Sequence, residues 1–227
     1  MLKLLGQWKK QIDGRSWPYR FPRLYDALVC NGIFAWLGMS GTEQTKLVAT
    51  TLRHEGRVLD SPIGTGALTL DLYAQRPALM IVGVDLALPM LQAARARLQQ
   101  RGIVNVQLVC ADMTTLPFLS DVFGQIVSLN GLHVVPRYES AIDEMLRVAE
   151  DGAAVVGTAG VDIGNEPRSG LQKLLTKMGM IKPLDDQKLH ELLSMTWSRL
   201  VGQRTGAIYT FRRPQLDPGT GAVLIQP

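Results

Sequence analysis

Runs of apolar residues separated by polar turns recur through the middle of the chain. The runs lie at 57–59, 79–85, 105–110, 123–130 and 153–158. The run at 79–85 is apolar almost throughout, which is typical of a strand buried on both faces of a parallel sheet. The run at 105–110 alternates instead. Together these runs predict the strands of one mostly parallel sheet.

Segments with helical spacing lie between the predicted strands. Ser40 and Glu43 form a capping-box pattern, which predicts a helix from residue 41 to about residue 54. Further helices are predicted at 68–73, 87–101, 138–148, 171–178 and 186–193. The segments 197–201 and 207–212 predict a closing antiparallel hairpin. The alternation indicates an α/β fold with helices on both faces of the sheet.

The length and composition narrow the class of protein. A chain of 227 residues fits one α/β domain. It has no apolar stretch of transmembrane length and no secretory signal pattern, so we predict a cytoplasmic protein without integral membrane association. Cys30 and Cys110 form neither a disulfide framework nor a metal-ligand spacing. The basic, amphipathic residues 1–10 fit either peripheral contact with a membrane or packing on the protein's own surface.

The net charge of +4 raises the question of nucleic-acid binding. Arg95, Arg97 and Arg101 lie on the helix predicted at 87–101, and no aromatic residues interleave with them. We therefore interpret them as a solvated helix face and predict no nucleic-acid partner.

The stretch 58–66 carries the strongest functional signal. A short strand ends at Asp60 and opens into a turn containing Gly64 and Gly66, and a helix follows, so backbone N–H groups point at a ligand. Thr69 stands where the dinucleotide fingerprint needs a small residue, and Asp60 would repel a pyrophosphate. A ligand carrying an ammonium group and a sulfonium therefore fits better than a nicotinamide dinucleotide.

The sequence Asp60-Ser61-Pro62-Ile63-Gly64-Thr65-Gly66 resembles motif I of the class I S-adenosylmethionine-dependent methyltransferases. Pro62 departs from the motif, because it replaces the first glycine and has no N–H to donate. The resemblance covers about residues 45–212 and implies a Rossmann-like, mostly parallel sheet of seven strands with a C-terminal antiparallel hairpin. S-adenosylmethionine is the implied cofactor.

The same resemblance divides the chain into three parts of a single methyltransferase domain, 1–227. Residues 1–45 are expected to form a helical lid over the donor, although the aromatic residues in this segment fit a satellite core equally well. Residues 46–213 are expected to form the Rossmann-like core with a helical insertion at 161–196, and residues 214–227 a tail.

The acids that follow the predicted strands are candidate donor contacts. Asp85 is placed to accept hydrogen bonds from ribose hydroxyls, although it also suits an N-cap of the next helix. By resemblance, Asp112 accepts from the adenine amine and the Met113 backbone faces the ring, although Asp112 equally suits a turn cap. The implied donor-binding residues are Tyr25, Asp60, Ser61, Gly64, Thr65, Gly66, Asp85, Leu86, Met90, Asp112, Met113 and Asn130.

His133 is the candidate catalytic residue. It follows the fourth strand and faces the transferred methyl in the resemblance, where an imidazole could remove a proton from the acceptor. A hydrogen-bonded structural role is the alternative. The expected reaction methylates oxygen, carbon or nitrogen of a small, apolar or aromatic acceptor. A cyclase on the same fold and, less favoured, a nicotinamide oxidoreductase are the competing interpretations.

Overall fold

The central feature of the protein is a seven-stranded sheet. The structure is a computed structural model that describes residues 21–27, 38–162, 183–214, 216, 217, 219 and 220. The strands are β1 (Gly56–Asp60), β2 (Leu79–Asp85), β3 (Val106–Cys110), β4 (Phe123–Leu129), β5 (Ala149–Gly160), β6 (Val201–Thr205) and β7 (Ile208–Arg213). Their order is β3-β2-β1-β4-β5-β7-β6. The first five strands run parallel, and β7 is antiparallel to both β5 and β6. The predicted sheet and its antiparallel hairpin are confirmed.

Six α-helices are described around this sheet. They are α1 (Pro22–Tyr25), α2 (Gly41–Ala49), α3 (Leu70–Ala74), α4 (Leu88–Arg101), α5 (Tyr138–Val148) and α6 (Asp186–Thr196), and a 3-10 turn spans Leu132–Val134. Within the described part of the chain, no helix is long and apolar enough to cross a membrane.

Two apolar clusters cover the two faces of the sheet. Ile126 and Val127 are neighbours in β4, so their side chains point to opposite faces, and they belong to different clusters. The cluster containing Val127 also includes residues of α2, α3 and α4. The cluster containing Ile126 includes residues of α5 and α6. This packing explains why continuous apolar runs form the central strands.

The strand order creates a switch point between β1 and β4, where ligands can bind at the carboxyl ends of the strands. From β1 the chain first builds outward through β2 and β3, then returns to place β4 on the other side of β1. Ligands of open α/β sheets bind at the carboxyl ends of the strands beside such a switch point. Asp60 and Asp85 end β1 and β2, and Asn130 follows β4 directly.

Several boundaries differ from the sequence predictions. The Ser40–Glu43 capping box is present, but α2 ends at Ala49 rather than near residue 54, because Thr50 to Arg53 turn toward β1. Helix α3 begins at Leu70, two residues after the predicted start. Strand β6 begins at Val201, so Gly202 lies within the strand rather than in the hairpin turn, which is made at Gly206.

Two predicted segments lie partly or wholly outside the described residues. The helix predicted at 171–178 lies wholly outside them, and of the predicted lid only residues 21–27 and 38–45 are described. In the predicted tail, the Leu216 N–H donates to the carbonyl of Gly152 in β5. That bond places the start of the tail against the sheet.

Candidate active site

The glycine turn after β1 has two glycines with different roles. Gly64 has a φ of 58° and Gly66 a φ of 71°, a region that favours glycine. A Cβ on Gly66 would overlap the buried side chain of Leu70 in α3, so this glycine is required for packing. Among the residues that the structure describes, a Cβ on Gly64 would meet nothing within 4 Å. Gly64 therefore borders open space beside the switch point.

Asp85 connects the glycine turn to the loop after β2. Its Oδ2 accepts the Gly64 N–H at 2.9 Å, and its Oδ1 accepts the Ala87 N–H at 2.8 Å. Burial raises the pKa of Asp85 to about 6, against the lowering effect of its backbone hydrogen bonds. The helix that follows is capped by Ala87 rather than Asp85, so the alternative N-cap interpretation is wrong.

Asp60 points into a different environment. Its Oδ2 accepts the hydroxyls of Thr69 and Tyr73, both at 2.8 Å. Burial raises the pKa of Asp60 to about 7; the two hydroxyls oppose this shift, and the charge of Asp85 adds to it. The structure thus gives Thr69 a role that a third glycine could not fill, because its hydroxyl binds a buried acid.

Pro62 and Ser61 complete the turn. A Cβ on Gly131 would overlap the Pro62 ring, so the proline of the unusual motif packs on a glycine that follows β4. The Ser61 N–H donates to the Val127 carbonyl at 2.9 Å. The buried Ser61 Oγ has no hydrogen-bond partner among the described residues. A free hydroxyl therefore remains in the turn.

Asn130 is held by a buried network that the sequence did not reveal. It has a positive φ of 55°, and its Nδ2 donates to Gln44 Oε1 at 2.6 Å. The Thr158 hydroxyl lies 3.1 Å from the same Gln44 oxygen and 3.2 Å from Asn130 Oδ1. Gln44 comes from α2 and Thr158 from β5, so two elements fix the orientation of Asn130.

His133 lies on the 3-10 turn after β4 and is buried. Its Nδ1 accepts the Gly160 N–H at 3.0 Å, which assigns the ring proton to Nε2. Burial lowers the pKa of His133 to about 4. Both features favour a neutral imidazole that donates through Nε2 over one that accepts a proton. The base role stays a prediction. It requires either that Nε2 loses its proton or that the bond from Gly160 to Nδ1 breaks.

The remaining predicted residues lie around the ends of β2 and β3. Asp112 Oδ1 accepts the Thr114 N–H at 2.7 Å, so this acid caps a turn, as the alternative interpretation predicted. Met113 and Met90 are buried, and Leu86 is half-buried. These side chains follow strands β2 and β3, on the side of the sheet where the resemblance places adenine.

Residues 21–27 reach the glycine turn through Asp26. The Thr65 hydroxyl donates to Asp26 Oδ1 at 2.6 Å, and Arg97 of α4 contacts both residues. The interpretation of the arginines as a solvated face is therefore wrong for Arg97. Arg101 pairs with Asp71 at the surface, as a solvated face would. Tyr25, the predicted lid residue, is half-buried beside Asp26.

Comparisons with known proteins agree with this geometry. A family model described as a methyltransferase domain matches residues 58–152. A phosphatidylethanolamine N-methyltransferase of Cereibacter sphaeroides is 29% identical over 168 residues, which cover 74% of this chain and 78% of that protein. A demethylmenaquinone methyltransferase of Thermus thermophilus is 37% identical over 100 residues, or 44% of this chain and 45% of that protein. These matches support the resemblance of the chain to the class I S-adenosylmethionine-dependent methyltransferases.

Solved structures show the same methyltransferase fold. Phosphoethanolamine N-methyltransferase 2 of Haemonchus contortus, in complex with S-adenosyl-L-methionine, has a TM-score of 0.71 at 16% identity and covers 86% of this chain and 45% of that chain. The cyclase SpnF has a TM-score of 0.59 at 24% identity and covers 70% of this chain and 58% of that chain. At these identities the likeness concerns the fold alone.

The residues at the switch point fit the donor of this methyltransferase family. A carboxylate has about four lone-pair sites, more than the backbone N–H groups that contact Asp85 occupy, so Asp85 can still accept from a ribose hydroxyl. The open side of Gly64 leaves room for the ligand, and the free Ser61 hydroxyl is available to it. Two buried acids, Asp60 and Asp85, favour a cation.

Proposed function

We propose that this protein transfers a methyl group from S-adenosylmethionine to oxygen, carbon or nitrogen of a small, apolar or aromatic acceptor. The observation that carries the donor half of the proposal is the Asp85 carboxylate, which bridges Gly64 and Ala87 beside open space. The acceptor half is supported by the names of two relatives, which act on phosphatidylethanolamine and demethylmenaquinone. Both names describe largely apolar molecules.

The chain's own residues would hold and orient the two substrates. When bound, S-adenosylmethionine supplies an electrophilic methyl group on a sulfonium sulfur. Asp85 would accept the ribose hydroxyls, and the open side of Gly64 would admit the donor against the turn. Asn130, fixed by Gln44 and Thr158, would border the methionine part. Preorganised contacts of this kind lower the barrier by positioning the reacting atoms.

The proposed role of His133 is donation rather than proton removal. Its Nδ1 is occupied by Gly160, so Nε2–H is the group available to an acceptor oxygen or nitrogen. A neutral imidazole also avoids placing a second cation beside the sulfonium. In this arrangement His133 orients the acceptor, and the acceptor's proton passes to solvent or to a group on the substrate.

The function is tested by incubating the purified protein with S-adenosylmethionine and each of two acceptors, demethylmenaquinone in detergent and phosphatidylethanolamine in mixed micelles. Mass spectrometry should find a product that carries one added methyl group, with an equal amount of S-adenosylhomocysteine. The panel should also include a simple phenol and a simple amine. Donor binding without methylated product from any of the four would contradict the proposal.

The competing functions give different results in the same assays. A cyclase on this fold would convert its substrate without consuming the donor and without adding methyl mass. A nicotinamide oxidoreductase would bind NAD in an equilibrium titration. A nucleic-acid protein would show strongly salt-dependent association with RNA or DNA.

We also propose that residues 1–227 form one methyltransferase domain.

A further inference from the structure

A partly buried charge cluster joins the glycine turn to residues 21–27. Arg97 lies 2.7 Å from the carbonyl oxygen of Thr65 and 2.6 Å from its hydroxyl, and it donates to Asp26 Oδ2 at 2.5 Å. The Thr65 hydroxyl donates to the other Asp26 oxygen at 2.6 Å. One arginine therefore holds both the backbone of the turn and the carboxylate of the N-terminal segment.

This ion pair differs from the surface pairs of the same helix. The side chains of Arg97 and Asp26 are 26% and 11% exposed, whereas those of Arg101 and Asp71 are 45% and 66% exposed. Shielded, charge-assisted hydrogen bonds in fixed geometry are stronger than solvated pairs. The Arg97 pair is therefore expected to hold its elements together, and the Arg101 pair to contribute little.

Residues 21–27 contact the glycine turn and α4 through polar side chains. Within this segment Asp26 is the one buried side chain, whereas Phe21 and Leu24 are 49% and 44% exposed. Helix α1 has four residues and buries none of them. A segment with so little buried apolar area opens at low free-energy cost unless other contacts hold it.

We propose that Arg97, Asp26 and Thr65 form a latch that holds residues 21–27 against the glycine turn and sets the rate at which the donor leaves. The inference rests on donor binding at the turn, which is part of the proposed function. Thr65 lies between Gly64, which borders the open space, and Gly66, which packs on α3. Closing the latch therefore places the segment next to the donor, and Arg97 acts as a positioning residue.

The main test compares Arg97→Met with Arg101→Met, a matched control one helical turn further along α4. Release of radiolabelled S-adenosylmethionine from the full-length protein is followed after a chase with unlabelled donor. Losing the charged hydrogen bonds of Arg97 should raise the release rate about tenfold, whereas Arg101→Met should stay within about twofold. Arg97→Lys keeps the charge but loses the planar fork, so it should restore part of the effect.

A purely structural role predicts a different pattern. Arg97→Met would then lower the melting temperature while the folded fraction released the donor at the wild-type rate. That result would overturn the latch. The melting temperature and the release rate are therefore measured on the same preparations, at a temperature where each variant is folded.

A second pair of variants tests whether Thr65 acts through Asp26. Thr65→Val keeps the shape and removes the hydroxyl, whereas Thr65→Ser keeps the hydroxyl and should release the donor more slowly than Thr65→Val. In a latch, Thr65→Val and Asp26→Asn each raise the release rate, and their combination adds little to either one. Fully additive effects would mean that Thr65 contacts the donor directly, and they would contradict the latch.

These measurements need no acceptor. A protein that binds S-adenosylmethionine but methylates nothing would contradict the proposed function and leave the latch test intact. Conversely, methyl transfer with unchanged donor release in Arg97→Met would contradict the latch alone.

Discussion

The two halves of the glycine turn resemble each other in sequence but have different tasks. In the first half, Gly64 borders open space and donates its N–H to Asp85. In the second half, Gly66 packs on Leu70, and the helix that begins there supplies Tyr73 to Asp60. Each half thus pairs a glycine of positive φ with a buried acid from a strand end.

The difference shows that an acid after a strand does not by itself indicate a ligand contact. Asp85 is bound by backbone N–H groups on both of its carboxylate oxygens. The contacted oxygen of Asp60 is bound by two side-chain hydroxyls of its own strand-turn-helix unit. We infer that the first half of the turn serves the ligand and that the second half chiefly serves the fold.

Adding one methyl group to each glycine is the strongest test of the difference between the two halves of the turn. Gly66→Ala places a Cβ at positive φ against the fully buried Leu70, so it should cost about 3 kcal/mol in the free energy of unfolding. Gly64→Ala meets open space and should cost about 1 kcal/mol from backbone strain alone. Chemical denaturation measures both values.

Donor affinity should show the opposite ranking. Gly64→Ala fills the space that we assign to the donor. The loss of binding free energy for S-adenosylmethionine, measured by calorimetry, should therefore exceed the loss of unfolding free energy. Folded Gly66→Ala protein should bind nearly as wild type. Equal losses of affinity in the two variants would contradict the division of the turn.

Asp85→Asn should have the next largest effect. The amide of the variant places an NH₂ group opposite one of the two backbone N–H donors, so that hydrogen bond is lost. The negative charge that would accept the ribose hydroxyls is lost as well. We expect donor affinity to fall about 100-fold, in line with losing two charge-assisted hydrogen bonds. Asp60→Asn, whose amide oxygen can still accept both hydroxyls, is the matched comparison and should lose less than about tenfold.

The central strands and the acids at their ends were predictable because both depend on local sequence. Apolar runs marked the central strands, and parallel strands must place their carboxyl ends on one edge. The glycine turn, Asp85 and Asn130 were therefore expected near one another. Pro62 was unexplained, since its packing partner Gly131 follows β4, far along the chain, and no local pattern joins the two.

Contacts between distant elements were not predictable in the same way. Gln44 is a polar residue on an amphipathic helix, and only the folded structure brings it to Asn130. Arg97 shares its helix with other arginines, and its pairing with Asp26 joins residues 71 positions apart. Periodicity identifies which face of a helix is polar but not which polar residue meets a partner.

The buried acids also predict how stability changes with pH. Burial raises the pKa of Asp60 from 3.8 to about 7, so this group takes up a proton on folding between those values. Its contribution to stability is present below pH 4 and is lost as the pH rises toward 7. Asp60→Asn removes that loss, so in the absence of donor its stability relative to wild type should rise by about 3 kcal/mol between pH 5 and pH 8.

Asp85 titrates in both proteins, so the informative quantity is the difference between variant and wild type at each pH. Urea unfolding at several pH values measures it. If the difference in unfolding free energy between variant and wild type did not change with pH, Asp60 would be ionised at every pH measured. The assignment of Asp60 to the fold and Asp85 to the ligand would then lose this support.

Tyr73→Phe should give the smallest effect and the sharpest separation of fold from ligand binding. The variant keeps the buried ring and removes one of the two hydroxyls that bind Asp60, so it should cost about 1 kcal/mol in stability. Thr69 still donates to the same carboxylate oxygen. If the second half of the turn serves the fold, donor affinity should remain within about twofold of wild type, because no bond of Asp85 or Gly64 changes. A larger loss of affinity would mean that Asp60 itself contacts the donor, as the motif resemblance implied, and that Tyr73 orients it for that contact.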